Sequence, residues 1–237
     1  MSDFINTIDV LGDEAVATSI VDRSITEFKD DVLTEVGNRA FQNCSSLASV
    51  ELPNCTKIGT YSFSGCSALT EVTDEQFASL TSMGANAFNG TKVQRVSLSK
   101  LTSMGGNAFI QITSLKEIRL PAMKSLENNC FRQCYGGLNL VDLGACTKIA
   151  SGAFYGCEYF NNLVLRSETM CTLDGTGSLC GFSGNNSTYP KKIYVPSALV
   201  ESYKTATNWS SYANRIFALE DYTVDGTITG ELDATKI

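Results

Sequence analysis

The 237-residue chain contains no histidine. That absence excludes serine–histidine and cysteine–histidine nucleophile pairs and every histidine-ligated metal site. Basic residues are also few: Lys plus Arg number 18 against 25 Asp plus Glu, for a net charge of −7. Nucleic acids and anionic membranes select clustered basic residues, so neither is an expected partner. No apolar run approaches the roughly 18 residues that a spanning helix needs, so no membrane insertion is expected. The opening Met1-Ser2-Asp3-Phe4-Ile5-Asn6 lacks a basic start and a continuous apolar stretch, and no signal peptide is expected from it. Glycine loops that cradle phosphate are missing too; Gly175-Thr176-Gly177 is too short to act as one. No cofactor is therefore expected.

What the chain does contain is a repeat. Phe41, Phe63, Phe88, Phe109, Phe131 and Phe154 stand 22, 25, 21, 22 and 23 residues apart. Five residues before each stand Val36, Ile58, Met83, Met104, Leu126 and Ile149. Eight before stand Leu33, Cys55, Leu80, Leu101, Met123 and Cys146. Thirteen before stand Phe28, Val50, Val96, Ile118 and Val141; the third unit breaks this register, with its surplus around Asp74-Glu75-Gln76. Apolar residues that hold their offset through successive copies form the inward face of a coil, which only stacking on further coils can bury. Val50-Glu51-Leu52, Val96-Ser97-Leu98, Ile118-Arg119-Leu120 and Val141-Asp142-Leu143 alternate apolar and polar, as half-buried strands do. Leu52-Pro53 and Leu120-Pro121 end two of them. Ile58-Gly59, Met83-Gly84 and Met104-Gly105 are read as corners where glycine eases a turn. Each Ala-Phe pair is read as the start of a short helical or 3₁₀ turn, and Ser64-Gly65 and Asn89-Gly90 as turns toward the next strand.

The unit Arg39-Ala40-Phe41-Gln42-Asn43-Cys44-Ser45-Ser46-Leu47-Ala48-Ser49-Val50-Glu51-Leu52-Pro53 resembles the repeat of BspA-like bacterial leucine-rich-repeat proteins. Ile193-Tyr194-Val195-Pro196, followed by Val200, Tyr203-Lys204, Trp209 and Tyr212-Ala213, looks like that family's end cap. The resemblance covers roughly residues 24 to 219. It implies a right-handed leucine-rich-repeat solenoid of about six to eight coils, with short strands on one face, short helical or 3₁₀ turns on the other and a C-terminal helical cap. It also implies a bacterial surface setting for many members, host or partner-cell proteins as ligands for some, and no catalytic residues. Thr91 and Ile112 depart from the family's usual Cys, which concerns packing only.

The expected organisation is an N-terminal cap or attachment segment at 1–23, the solenoid at 24–196, the cap at 197–219 and a polar tail at 220–237. Ser197 stands where it could cap a helix carrying Val200, Tyr203 and Lys204. Asp225-Gly226, between β-prone pairs, reads as a hairpin. The nine cysteines mostly share core columns. Cys44, Cys66, Cys134 and Cys157 occupy the slot of Thr91 and Ile112, and Cys55 and Cys146 that of Leu101 and Met123. Such a slot is one for buried thiols; bridges between neighbouring coils, such as Cys44 to Cys66, are the alternative. Cys171 and Cys180 lie outside the columns. No cysteine spacing fits zinc, the ligand spacing around Asp221–Asp225 fails for calcium, and no metal is expected.

The candidate binding face is the outer side of the strands. Its outward positions are Ser49 and Glu51, Glu71 and Thr73, Arg95 and Ser97, Glu117 and Arg119, Leu140 and Asp142, Asn162 and Val164, then Tyr194. Glu51 and Glu71 lie on adjacent rungs without an aromatic sugar platform and read as solvated strand positions rather than a glycosidase pair. Leu140, Val164 and Tyr194 are the outward apolar or aromatic residues, so a binding hot spot is expected at that end. A non-enzymatic binding or adhesion scaffold for a protein or glycan accounts for these features. The alternative is a structural component of a phage tail or other surface-borne assembly, in which the chain could be oligomeric. It is favoured by the many column thiols and by ends similar to those of repeat proteins carried by phages of gut bacteria.

Overall fold

In a computed structural model the chain is a parallel β-solenoid of about eight turns. The structure describes residues 10–11, 23–157, 160–179, 192–224 and 227–228. Each turn gives one strand to a main sheet. Glu27–Lys29 pairs with Ser49–Glu51, and a seven-stranded parallel sheet follows through Glu71–Thr73, Arg95–Ser97, Glu117–Arg119, Leu140–Leu143, Asn162–Leu165, Lys192–Val195 and Ile216–Ala218. A second ladder of two-residue strands runs beside it: Val10–Leu11, Glu35–Val36, Lys57–Ile58, Ser82–Met83 and Ser103–Met104, then Ser125–Leu126, Lys148–Ile149 and Thr172–Leu173. Register is kept coil to coil, with Val72, Val96, Ile118, Val141, Leu163, Ile193 and Ile216 in line and buried.

The phenylalanine column is a continuous internal stack. Ring centroids are 5.0 Å apart for Phe41–Phe63, then 5.2, 5.1, 5.4 and 5.5 Å through Phe154, with planes within 9° of parallel. Phe28 tilts at 58° against Phe41 and Phe160 at 44° against Phe154, so the stack ends on tilted rings. The surplus of the third unit folds as a turn in which the Gln76 side chain accepts from the Thr73 N–H at 2.9 Å. That turn delivers Phe77, fully buried, edge-on to Phe63 and Phe88, into the column that Leu52, Leu98, Leu120 and Leu143 fill elsewhere.

The side bearing the phenylalanines differs from the expected helical or 3₁₀ turns. Two residues before each Phe, the backbone is left-handed at Arg39, Tyr61, Asn86, Asn107, Asn129 and Gly152, with φ of 56–70°. Two residues after, it is left-handed again at Asn43, Gly65, Gly90, Gln111, Gln133 and Gly156, with φ of 59–78°. Right-handed residues between them make successive N–H groups point in alternate directions. Ala40, Gln42 and Cys44 bond within their own turn, to Gly37, Arg39 and Phe41. Arg39, Phe41 and Asn43 bond across to Thr60, Ser62 and Ser64 of the next coil. A helix would direct every N–H back into its own turn; the alternation lets this side join coils.

Gly84 and Gly105 also act differently from expectation. Neither has a left-handed φ. A Cβ on Gly84 would meet the Thr60 nitrogen at 2.5 Å, and one on Gly105 the Ala85 nitrogen at 2.4 Å. Glycine stands there because the neighbouring coil's backbone passes too close for any side chain.

The eight described cysteines are buried thiols, and no bridge joins Cys44 to Cys66. Three of them explain the Cys/Thr slot. Cys66, Cys134 and Cys157 donate Sγ–H to the carbonyls of Phe41, Phe109 and Phe131 on the preceding coil, at 3.1, 3.3 and 2.9 Å. Thr91 donates instead to Phe88 of its own coil at 2.8 Å. Burial pushes the thiol of Cys55 up to about 11 and that of Cys66 up to about 12. Cys171 is buried like the column cysteines, although its spacing sets it apart; Cys180 lies outside the described residues.

The C-terminal end is closed by side chains. Thr172–Leu173 is the last described strand of the second ladder, so its outer backbone groups have no further rung to bond. Tyr203, on the helix Val200–Thr205, accepts from the Cys171 N–H at 2.6 Å. Trp209 donates its indole N–H to the Cys171 carbonyl at 2.7 Å, and the Asn208 amide donates to the Leu173 carbonyl at 2.9 Å. An open ladder edge is a template for aggregation, and these three side chains occupy it. Ser197 does not cap the helix: a 3₁₀ turn, Ser197–Leu199, intervenes, and its hydroxyl donates to Glu220 at 3.0 Å. At the other end Val10–Leu11 pairs with Glu35–Val36; the rest of the 1–22 stretch lies outside the described residues. In the tail Thr223–Val224 and Thr227–Ile228 pair antiparallel, and the Asp225-Gly226 link between them lies outside the described residues.

Candidate binding face

The outer face of the main sheet has two unlike halves. Over the first five strands it is wet and charged, except at the outward Thr73, which is buried. Ser49, Arg95 and Arg119 are exposed, while Glu51, Glu71, Ser97 and Glu117 are half-buried. Ion pairs run along this half: Lys29 with Glu51, Arg95 with Glu71 at 2.9 Å, and Arg119 with Glu117. Exposed pairs of this kind hold each other weakly, so their charges remain available to a partner.

The second half corrects the expected hot spot. Leu140, Asp142, Val164 and Tyr194 do point outward, yet they are only 6%, 8%, 0% and 5% exposed. Leu140, Val164 and Tyr194 form a second apolar cluster with Tyr222, against which Leu219 packs. The 3₁₀ turn Leu219–Asp221 brings the chain back over the sheet, and the Tyr222 ring lies 4.9 Å from that of Tyr194. Alternation along a strand reveals which side chains leave the core; it does not reveal what returns to cover them. Asn162 remains half-buried at the margin.

Residues beyond the expected set complete this half. Arg166 grips Asp142 with two parallel bonds, Nε to Oδ1 at 2.9 Å and Nη2 to Oδ2 at 2.8 Å, while Arg119 stands 3.9 Å from the same carboxylate. Burial raises the Tyr222 phenol, Asp142 adds to the rise, and Arg119 and Arg166 oppose it. Arg166 was within reach of sequence reasoning, because it continues the outward alternation Asn162, Val164, Arg166. Phe217 lies beside Tyr194 at 6.1 Å, is 37% exposed, and has the Lys192 ammonium 6.0 Å above its ring. Among the described residues no cluster of three or more metal-ligating side chains forms, and no helix is long and apolar enough to cross a membrane.

A family model for the BspA type leucine rich repeat region matches residues 34–161 in six copies, more than half of the chain. The chain belongs to the BspA-type leucine-rich-repeat family. Among solved structures this BspA-type protein is similar to the T. pallidum leucine rich repeat protein TpLRR, at 22% identity and a TM-score of 0.51, covering 77% of this chain and 76% of that one. It is also similar to a leucine-rich repeat protein from Bacteroides ovatus ATCC 8483, at 22% identity and a TM-score of 0.47, covering 73% of this chain but 56% of that one. The BspA-type chain thus spans little more than half the length of the Bacteroides protein. No curated protein matches it. These likenesses concern the fold, and the scaffold is of a kind consistent with protein binding.

Proposed function

We propose that the chain is a non-enzymatic recognition scaffold that binds a partner protein through the outer face of its first five main-sheet strands. One observation carries this reading: a hydrogen-bonded sheet holds Glu71, Arg95, Ser97, Glu117 and Arg119 in fixed register, with Glu51 on the two-stranded sheet that precedes it, and no overlying chain segment among the described residues. Charges of both signs at coil spacing favour complementarity to a mixed-charge protein surface, which sets specificity and on-rate more than raw affinity. A protein fits better than a glycan, because the described aromatic side chains on the outer face lie at the other end, around Tyr194 and Phe217.

The test is site-specific photo-cross-linking. A photoreactive side chain at Ser97 is expected to capture the partner, and the same group at the exposed Gln111 on the turn side is not. Arg95→Glu combined with Arg119→Glu should weaken the captured complex about tenfold or more. Capture from Gln111 with silence at Ser97 would move binding off this face.

A further inference from the structure

Val164 is fully shielded although it points away from the common core. An outward strand position is ordinarily wet, so something must lie over it. Tyr222 does, flanked by Leu140, Tyr194 and Leu219. Around this apolar centre stand Asp142 with Arg166 and Arg119 on one side, and the Ser197–Glu220 bond on another. An apolar centre, an aromatic anchor and a charged margin make up the anatomy of a protein interface rather than of a domain core. Here the chain itself supplies the anchor.

We propose that the outer face of Leu140–Leu143, Asn162–Leu165 and Lys192–Val195 is a peptide-docking site for a segment of another protein bearing a tyrosine preceded by acidic residues, and that the chain's own Glu220-Asp221-Tyr222 fills it until displaced. The occupant's chemistry is read from the segment already seated. Its phenol lies among Asp142, Arg119 and Arg166, and its leading carboxylate accepts from Ser197. The Tyr222 N–H bonds locally to Leu219, and Glu220 and Asp221 are exposed. A tethered occupant competes at a high effective concentration, so the intact chain takes up an outside segment weakly. This site borders the first five strands and shares Arg119 with them, but it does not depend on their binding anything.

The experiment uses a fluorescent synthetic peptide of the sequence Phe217 to Val224 and fluorescence polarisation. The full chain carrying Tyr222→Ala is expected to bind it at least about tenfold more tightly than the unaltered chain. A peptide with alanine in place of its tyrosine is expected not to bind. Glu220→Ala keeps the ring and loses only the bond to Ser197, so it covers the case in which Tyr222→Ala fails to fold; it should show intermediate affinity. Absence of binding to both variants, equal binding to variant and unaltered chains, or equal binding of the alanine peptide would each overturn the proposal. A dimer of the unaltered chain that dissociates on Tyr222→Ala, seen by light scattering, would give the seat to a second copy and overturn the assignment to another protein.

Discussion

Replacing Phe109 by alanine is expected to lower unfolding free energy by about 3–5 kcal/mol, with the upper end favoured. The ring is fully buried and lies between Phe88 at 5.1 Å and Phe131 at 5.4 Å, so its loss opens a void with an aromatic face on either side. How much a void costs depends on whether its walls can close. Here they are braced: the Phe88 N–H bonds to Ala108, the Phe109 N–H to Cys130 and the Phe131 N–H to Ala153, each across a coil boundary. Moving one wall inward would strain the bonds on both sides of it. Two stacked pairs are lost as well, each worth about 0.5–1.5 kcal/mol beyond its area. A urea titration gives the measurement. A loss below about 1 kcal/mol, the scale of an ordinary surface change, would remove Phe109 from the shared core.

Trp209→Ala is expected to cost a similar amount, about 3–5 kcal/mol, but at one end of the molecule. The indole is 1% exposed, packs edge-on against Tyr203 at 4.9 Å, and donates to the Cys171 carbonyl at 2.7 Å. The change therefore removes a large side chain and strands a buried acceptor together. In a solenoid each coil is stabilised through its neighbours, so damage at the cap should fray inward. Amide exchange should quicken first at Thr172–Leu173 and then at Lys148–Ile149, leaving Lys57–Ile58 unchanged. Trp209→Phe keeps most of the apolar volume and loses the donor, and should cost about 1–3 kcal/mol. Equal exchange along the whole chain in Trp209→Ala would mean that the cap does not act locally.

The repeat was legible because its signal is covalent spacing. Phe41 to Phe154 recur at nearly fixed intervals, and a solenoid turns a fixed interval into a straight column. The alternation of Val96-Ser97-Leu98 or Ile118-Arg119-Leu120 gave the strand faces in the same way. The turn side was harder. Arg39, Tyr61 and Gln133 are not residues that announce a left-handed backbone, and only the demand for coil-to-coil hydrogen bonds puts them there. Gly84 and Gly105 were visible as glycines, but their reason, a neighbouring backbone within 2.5 Å of a would-be Cβ, lies 20 or more residues away in sequence. The outer face divided along the same line. Its charged half follows from alternation alone. Its covered half depends on Tyr222, one aromatic in a polar tail, returning over Val164 from 58 residues downstream. Local pattern carries no trace of such a return.

The central claim is that successive coils share one dry interior into which the column residues point. Counting reactive thiols tests it most directly, because eight of the nine cysteines are buried inside that interior. At neutral pH burial leaves thiols such as those of Cys55 and Cys66 almost wholly protonated, and the thiolate is the reactive form. In the native protein a thiol-specific reagent is expected to leave those eight untouched, so that only Cys180 is left to react; in denaturant without reductant all nine should react. Several fast-reacting thiols in the native state, or fewer than nine after unfolding, would contradict the shared interior and its unbridged columns.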